Sequence, residues 1–397
     1  MSHRTIFCLL ILSLVGIATL GGLDVTAEEK PASKEASTVG PDPELYNQLV
    51  ERSINYLRTQ GQADDGSYSA NAGPGITALV TTALIRSGRS LDDPLVAKSL
   101  KYLERFARRD GGIYAPESMY RNYETCITMM CLIEANRDGR YQKLIDNAER
   151  YIKRMQVDEE EGFDPSHPYY GGLGYDGKHK RPDGSNTGIF MDALIAAGRG
   201  ADDPGIQRAL IFMRRLQAVD DEHTILPNLP KGEENRGSSI YATRGGGESQ
   251  AKHAPDGTDE ENARLDRERG LRGYGTMTYM GIKSLIYAGL TEDDERVKAA
   301  KGWIARNYRL DANPGLGANG LFYYYHTFAK TLHVVGDDHF VDDKGVAHDW
   351  RRDLVETLSK QQNDDGSWIN GQDRWMEGDP NLVTGYALLA LSYCRPQ

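Results

Sequence analysis

Cysteine is scarce in this chain of 397 residues, which contains four. Cys8 lies in an apolar segment near the amino terminus, without the surrounding motif of a lipid-modified cysteine. Cys126 and Cys131 are five residues apart in a predicted helix, so they lie on different faces of it. That spacing suits neither a disulfide nor a metal site. We therefore expect these two thiols and Cys394 to act as small buried side chains.

An excess of positive charge is absent too. Lys and Arg together number 47 against 58 Asp and Glu, which gives a formal net charge of −11. No stripe rich in Lys or Arg compensates for this surplus, so the composition argues against a nucleic-acid partner. The negative charge is expected to keep the domain soluble.

The apolar run near the amino terminus is short. It covers residues 6–20, whereas a bilayer span needs about 20 residues. Arg4 precedes the run, and Val25 and Ala27 provide the small residues of a cleavage site. This pattern predicts a signal peptide over residues 1–27 and a polar leader over residues 28–43, with an uncleaved membrane anchor as the alternative. We expect a secreted or periplasmic protein with no stable membrane span after signal removal.

What the sequence does contain is a repeated helix ending. An amphipathic segment that ends in Gln60 leads to Asp-Asp-Gly-Ser-Tyr at residues 64–68, and another that ends in Gln361 leads to Asp-Asp-Gly-Ser-Trp at residues 364–368. A second repeated signal is a glycine that ends an apolar helix, followed by an acidic pair that can cap the next helix. These glycines are Gly88, Gly198 and Gly289. Such repeats indicate a repeat architecture.

Laying the helix–turn–helix unit along the chain gives six pairs. Each pair has an amphipathic outer helix and an inner helix that is apolar almost all round. The outer helices are predicted to begin near Glu44, Pro94, Lys143, Pro204, Asp294 and His348. The inner helices are predicted over residues 76–87, 124–135, 186–197, 277–288, 326–335 and 383–393. An inner ring shielded by an outer ring buries both kinds, so we predict an all-α (α/α)6 toroid over residues 44–397.

The connection lengths predict which face is functional. Loops from outer to inner helices are long, and the longest is an insertion at about residues 220–273. These loops share the rim at which the inner helices begin, and long loops on a rigid scaffold commonly carry binding sites. The helix amino termini at this rim favour an anionic or strongly polar ligand group. We expect a ligand cavity there.

One position of the inner helices carries polar side chains. It precedes a recurring threonine, which we align as Thr77, Thr125, Thr187, Thr278, Thr327 and Thr384. The residues at this position are Ile76, Glu124, Asn186, Met277, His326 and Val383. We predict that Glu124, Asn186 and His326 converge on the cavity as catalytic residues. Beside a carboxylate, His326 should stay charged to a higher pH than a free imidazole, and the alternative is a structural histidine at a helix start.

Tyrosine outnumbers the other aromatic residues, with 22 Tyr against 8 Phe and 4 Trp. Its amphipathic ring suits a saccharide-binding wall better than an isoprenoid pocket. The candidate ligand-binding residues are Tyr274, Tyr279, Tyr323, Tyr325 and Trp375. The alternative interpretation is that tyrosine packs at helix ends with its hydroxyl in water.

The six helix pairs and the two Gln…Asp-Gly-Ser-aromatic endings resemble the terpenoid cyclase and protein prenyltransferase superfamily, specifically its prenyltransferase and squalene oxidase repeat proteins. The resemblance covers residues from about 44 to 394. It implies that the endings are structural and tie neighbouring helices together. The residues it assigns to this role are Gln60, Tyr68, Gln361 and Trp368.

The catalytic motifs of that superfamily are missing. The Asp-x-Asp-Asp of class II terpene cyclases does not occur in the sequence. Tyr325-His326-Thr327 resembles part of the zinc site of protein prenyltransferases, but Thr276-Met277-Thr278 stands where the resemblance requires Asp-x-Cys. A single ligand does not make a zinc site, so we expect no metal and no other cofactor.

The predicted function is therefore an exported terpene cyclase-like or prenyltransferase-like toroid that binds a small or extended ligand, isoprenoid or saccharide, in a rim cavity. Two alternatives stay open. Exported toroids of this architecture include polysaccharide lyases and glycoside hydrolases, which use a carboxylate with a His, a Tyr or a second acid. The other alternative is a non-enzymatic binding or scaffold protein, and the sequence leaves catalysis itself open.

Overall fold

Twelve α-helices alternate between two concentric positions in residues 39–176, 181–221, 224–226, 229–243 and 272–396, the part of the chain that the computed structural model describes. The outer helices are α1 (Pro43–Tyr56), α3 (Pro94–Glu104), α5 (Gln142–Lys153), α7 (Pro204–Arg215), α9 (Glu295–Arg306) and α11 (Trp350–Ser359). The inner helices are α2 (Pro74–Arg86), α4 (Arg121–Ala135), α6 (Gly184–Ala196), α8 (Gly275–Tyr287), α10 (Leu321–Val335) and α12 (Pro380–Ser392). An antiparallel hairpin of β1 (Phe340–Val341) and β2 (Ala347–His348) connects α10 to α11.

Local capping explains where the outer helices begin. The carboxylates of Asp93, Asp203 and Asp294 each accept the backbone N–H two residues further on, which satisfies a donor that the helix itself leaves unpaired. The preceding inner helices are followed by the predicted glycines with a left-handed backbone. Their φ angles are 87° at Gly88, 79° at Gly198 and 92° at Gly289. The predicted turn between inner and outer helices is confirmed.

The inner helices form a closed ring. Each packs against its neighbours in the order α2, α4, α6, α8, α10 and α12, and α12 packs back against α2. Helices α2, α6, α8 and α12 are buried over most of their length, which explains why they are apolar all round. The outer helices cover this ring with one apolar face each. The predicted (α/α)6 toroid is confirmed.

In five outer-to-inner loops, a glycine packs closely against the backbone of the next outer helix. Gly366 has a φ of 90°, and a Cβ at this position would collide with the backbone carbonyl of Arg52 in α1. Glycine adopts this conformation without strain and allows the close approach. The same relation holds for Gly66 with α3, Gly111 with α5, Gly171 with α7 and Gly237 with α9.

A glutamine amide makes the second contact of the same joint. Gln362 donates from Nε2 to the carbonyl oxygen of Leu49 in α1, at 3.1 Å. Three further glutamines repeat this bond to the next outer helix, at 2.8 to 2.9 Å: Gln62 to Leu95, Gln156 to Gly205 and Gln217 to Arg296. We call the glycine and glutamine contacts together the loop–helix joint. It links successive helix pairs through backbone atoms.

The prediction of which glutamines tie helices together was wrong in part. Gln361 does tie its loop to a neighbouring helix, because it donates to the hydroxyl of Tyr325 in α10 at 3.0 Å. Gln60 is exposed instead, and Gln62 makes the contact with the next outer helix, as Gln362 does after α11. The reason is that each outer helix runs on by one or two residues before the loop turns. The aromatic residues of the endings are buried as predicted, and they are Tyr68 and Trp368.

The recurring threonine anchors the same loops. Thr384 Oγ1 accepts the backbone N–H of Trp368 at 3.1 Å. Equivalent bonds of 2.9 to 3.1 Å join Thr77 to Tyr68, Thr125 to Ile113, Thr187 to Leu173 and Thr278 to Ser239. In α10 the hydroxyl of Thr327 instead donates to the carbonyl of Tyr323 in its own helix, and Tyr325 donates to the loop carbonyl of Leu310 at 2.6 Å. Tyr325 therefore holds the anchor place in α10, and the alignment of Thr327 with the other threonines was wrong.

Several predictions concern residues outside the described part. They are the signal peptide over residues 1–27, the leader up to residue 38 and residues 244–271 of the loop insertion. Cys126, Cys131 and Cys394 are buried and form no disulfide, as expected. Among the helices that the structure describes, none has the length and apolar character needed to cross a membrane.

Replacing Gly366 with Ala tests the loop–helix joint. The new Cβ would strain a backbone with φ at 90° and push against the Arg52 carbonyl. We expect the free energy of unfolding, measured by chemical denaturation, to fall by roughly 2–4 kcal/mol. Gly88→Ala is the matched control, because its φ is 87° but its Cβ would meet nothing within 4 Å. It should lose only about 1 kcal/mol, and equal losses would show that the Arg52 contact contributes nothing.

Candidate functional site

Exposed hydrophobic side chains gather on one face of the toroid. We call this face the loop rim. Within the described residues it consists of the loops at which the inner helices begin, residues 57–73, 105–120, 154–176, 181–183, 216–221, 224–226, 229–243, 272–274, 307–320 and 360–379. Of the nine large hydrophobic side chains exposed in the described residues, seven lie on it. They are Met119, Tyr120, Tyr175, Ile225, Ile369, Trp375 and Met376. This face is therefore the one on which exposed apolar side chains are available to contact a ligand.

Backbone strain is confined to the same face. Within the described residues, the non-glycine residues with positive φ are Ser69 at 52°, Glu117 at 58°, Trp375 at 59° and Met376 at 65°. All four lie in the loop rim. Each such residue costs on the order of 1–3 kcal/mol, and strained residues concentrate at functional sites.

Trp375 precedes Met376, which lines an open groove of the loop rim. Its side chain is 46% exposed, and the guanidinium of Arg374 lies 5.0 Å from the ring centroid. One edge of the ring rests on Gly320, where a Cβ would lie 3.1 Å from the indole. The groove has a volume of about 460 Å³, and its lining residues are Ser69, Asp373, Met376, Gly378, Asp379, Pro380 and Asn381. The site therefore combines an aromatic face with carboxylate, amide and hydroxyl groups.

A chain of hydrogen bonds leads from the rim surface to a buried acid. The rings of Tyr120 and Tyr175 meet edge to face, with centroids 5.4 Å apart. The hydroxyl of Tyr175 lies 2.8 Å from that of Tyr241, which is bonded to Asp183. Burial raises the pKa of Asp183 to about 6, although hydrogen bonds from Asn186 partly oppose the shift. The sequence analysis missed Asp183, whose place as the capping residue of α6 was the available signal.

Glu124 and Asn186 are buried at the starts of their helices. The carboxylate of Glu124 accepts the backbone N–H of Ala115 and the hydroxyl of Ser118, both at 2.7 Å. Burial raises its pKa, and these hydrogen bonds oppose that rise. Asn186 donates to Asp183 at 2.8 Å and accepts from the amide of Asn122 at 3.1 Å. Both side chains thus bind the loops that lead into their helices.

His326 lies elsewhere, on a cavity of about 60 Å³ enclosed by the six inner helices. The polar residues that line this central cavity include Arg86, Asp192, Lys283, His326, Lys330 and the tyrosines Tyr123, Tyr323, Tyr386 and Tyr393. Glu124 and Asn186 do not line it. The structure therefore does not bring the three predicted catalytic residues to one cavity.

The expected pKa shift of His326 was in the wrong direction. Burial lowers the pKa of His326 well below its usual value, and the charges of Lys330 and Lys283 lower it further. Asp192 opposes these effects without reversing them. The imidazole is therefore neutral near pH 7. The carboxylate expected beside His326 was that of Glu124, whereas the carboxylate found at this cavity is that of Asp192, which two lysines surround.

The predicted ligand-binding residues divide among three environments. Tyr323 lines the central cavity, and Trp375 is exposed on the loop rim. Tyr274 and Tyr279 are buried, and Tyr279 packs against Tyr324 at a centroid distance of 5.6 Å. Tyr325 is the buried loop anchor of α10. The alternative interpretation, with the hydroxyl in water, does not describe Tyr279 or Tyr325, because the hydroxyl of Tyr279 is buried and that of Tyr325 donates to Leu310.

A buried ion-pair cluster also escaped the sequence analysis. Asp192 in α6 lies 2.8 Å from Lys283 in α8 and 2.9 Å from Lys330 in α10. Burial alone would raise the pKa of Asp192, but the two lysines outweigh it and lower the pKa to about 2. Within the described residues, no group of three His, Cys, Asp or Glu side chains is placed to hold a metal ion.

Part of the chain is similar to a known protein family, and its fold is similar to that of solved structures. Residues 49–225 match the family model of the squalene-hopene cyclase C-terminal domain. The type II terpene cyclase MstE from Scytonema has the same fold over 90% of this chain and 99% of its own, with 12% sequence identity and a TM-score of 0.50. The chain therefore shares the toroid fold of a terpene cyclase, and residues 49–225 are similar to the squalene-hopene cyclase family.

The same toroid also matches a protein of another class. The GH76A alpha-1,6-mannanase from Salegentibacter sp. HEL1_6 aligns over 89% of this chain and 98% of its own, with 10% identity and a TM-score of 0.51. Among curated protein sequences the toroid has no match. At these identities the two structures establish the fold alone.

The raised pKa of Asp183 predicts a pH dependence of stability. The pKa rises from 3.8 to about 6 on folding, so the folded toroid holds this proton more tightly than the unfolded chain. The resulting stabilisation is fully present below about pH 4 and is lost as the pH rises through about 6. Urea unfolding at several pH values should show the parent losing about 2 kcal/mol relative to Asp183→Asn between pH 4 and pH 7. Parallel pH profiles for the two proteins would contradict the shifted pKa.

Proposed function

We propose that this toroid is an exported protein that binds a polyhydroxylated ligand of the saccharide class on its loop rim. The observation that carries the proposal is Trp375, which is half exposed, strained at φ 59° and next in sequence to Met376, a residue that lines a polar groove. An aromatic face flanked by hydrogen-bonding groups suits a sugar ring, which has apolar C–H faces and a polar edge.

The groove offers hydrogen-bonding groups of both kinds. Asp373 and Asp379 supply carboxylates, and Ser69 supplies a hydroxyl. The amide of Asn381 supplies an acceptor, because its two N–H groups already donate to Gly61 and Ser69. Existing bonds hold these side chains in place: Asp373 accepts the N–H of Gly378 at 2.8 Å, and Asn381 donates to Ser69 at 3.0 Å. Side chains fixed before binding lose less conformational freedom when a ligand arrives.

The interior supports an isoprenoid ligand poorly. Pockets that enclose ligands of drug size have volumes of about 300–1,000 Å³ and mostly apolar walls. The central cavity has about 60 Å³ and is lined by the ion-pair cluster around Asp192. An apolar chain placed there would bury charges without hydrogen bonds in exchange.

The mannanase match adds limited support. A toroid with the fold described here is an alpha-1,6-mannanase in Salegentibacter, so this architecture is compatible with a saccharide ligand. Catalysis is not part of the proposal, since the carboxylates of Asp373 and Asp379 already accept backbone N–H groups from Gly378 and Asn381. The catalytic assignment of Glu124, Asn186 and His326 stays a prediction.

Affinity electrophoresis of the purified toroid tests the ligand class. Gels that contain single polysaccharides, alpha-1,6-mannan among them, should retard the parent protein in at least one case. Trp375→Ala should weaken that binding by about 3-fold to 10-fold, because stacking on one aromatic ring contributes about 0.5–1.5 kcal/mol.

The control for that experiment is Val346→Ala. Val346 is equally exposed, at 50%, but lies between β1 and β2, outside the loop rim. It should leave the retardation unchanged. Retardation by none of the polysaccharides, together with saturable binding of a fluorescent farnesyl probe, would replace the saccharide with an isoprenoid ligand.

Export predicts a shortened amino terminus. Arg4, the apolar run over residues 6–20 and the small residues Val25 and Ala27 support cleavage after Ala27. Amino-terminal sequencing of the protein recovered from its producing cell should begin at Glu28. Recovery of an intact chain that begins at Met1 or Ser2 would contradict the signal peptide.

A further inference from the structure

The central cavity contains more positive than negative charge. Asp192 is 6% exposed and lies between the ammonium groups of Lys283, which is 1% exposed, and Lys330, which is 13% exposed. Two cations thus share one carboxylate. An uncompensated charge inside a protein costs several kcal/mol unless another group pairs with it.

The remaining charges around the cavity do not cancel this surplus. Arg86 also lines the cavity, but its guanidinium donates to Glu134 at 2.7 Å and to the hydroxyl of Tyr393 at 2.6 Å. That pair is neutral as a unit. His326 is neutral because burial lowers its pKa. Burial lowers the pKa of Lys283 and the charge of Lys330 lowers it further, while Asp192 opposes the shift. With both lysines protonated, the polar lining carries one net positive charge.

Hydrogen-bonding capacity is also left over. Each ammonium has three N–H donors, and the ion pairs with Asp192 use one donor of each lysine. Nδ1 of His326 is buried without a hydrogen-bond partner in the described residues. A neutral imidazole protonated on Nδ1 would be one more donor. Surplus donors and surplus positive charge call for the same complement, an anion.

We propose that the central cavity binds one small monovalent anion of the size of formate or acetate, held by Lys283 and Lys330 with Nδ1–H of His326 as a further donor. This site is separate from the saccharide site on the loop rim and does not depend on it. The volume of about 60 Å³ sets the upper size, since it exceeds the space of one water but excludes bulky anions. One monovalent anion would balance the charge.

Thermal denaturation of the full toroid measures this binding. The melting temperature should rise saturably with sodium formate or acetate when ionic strength is held constant with a bulky sulfonate, 2-(N-morpholino)ethanesulfonate. A saturable rise with chloride in the same range supports the site as well, because chloride is also a small monovalent anion. A response to the bulky sulfonate equal to that with formate would overturn the proposal.

Charge variants assign the effect to the cavity. Lys330→Met should weaken formate binding by about tenfold or more, because it removes one of the two cations. Asp192→Asn should strengthen binding by a similar factor, since it removes the competing carboxylate. Lys298→Met is the matched control, because Lys298 lies on outer helix α9 with a side chain that is 52% exposed. Equal formate affinity in the parent and in Lys330→Met would overturn the proposal.

Crystals of the unaltered protein give a readout that does not depend on folding of the variants. Crystals grown in sodium bromide should show an anomalous peak between Lys283, Lys330 and His326. Bromide found only on the outer surface, with the central cavity occupied by water, would overturn the proposal.

Discussion

The ring depends on the loop–helix joint. In this joint a glutamine amide donates a hydrogen bond to a backbone carbonyl of an outer helix, and a glycine packs closely beside it. It occurs between the loop that ends one helix pair and the outer helix of the next, as in the bond from Gln62 to Leu95. Because the glycine brings backbone against backbone, side-chain rearrangement cannot adjust the spacing. The loops are therefore held firmly enough to keep Trp375 and Met376 in strained conformations at the rim.

Local patterns made the helices predictable. Apolar periodicity, aspartate caps and the glycines after inner helices act over a few residues, and they gave six helix pairs that agree with the structure. The cluster around Asp192 has no local pattern, since Lys283 lies 91 residues away on another helix. Its formation depends on the ring being closed. Similarly, the exposure of Trp375 follows from a loop conformation that no periodicity encodes.

An error in aligning α10 with the other inner helices changed which residue was selected as a candidate. In five inner helices the side chains that reach the central cavity lie two and five residues after the anchor threonine, as Ile189 and Asp192 do after Thr187. The residue before the threonine faces the loop instead, which is where Glu124 and Asn186 lie. In α10 the anchor is Tyr325, so the same spacing gives Thr327 and Lys330. The sequence alignment used Thr327 as the anchor, two residues after the true anchor Tyr325. It therefore selected His326, which lines the cavity, in place of the residue that corresponds to Glu124 and Asn186.

Closure of the ring joins segments from opposite ends of the chain. Gln362 bonds to Leu49 across 313 residues, and Arg86 bonds to Tyr393 across 307. During synthesis, α2 therefore cannot pack against α12 until the last helix has left the ribosome. Until then the inner helices form an incomplete ring with two exposed apolar flanks. A chain that stops before α12 does not make a smaller ring. It keeps both apolar flanks exposed, so it is expected to bind chaperones and to aggregate with other incomplete rings.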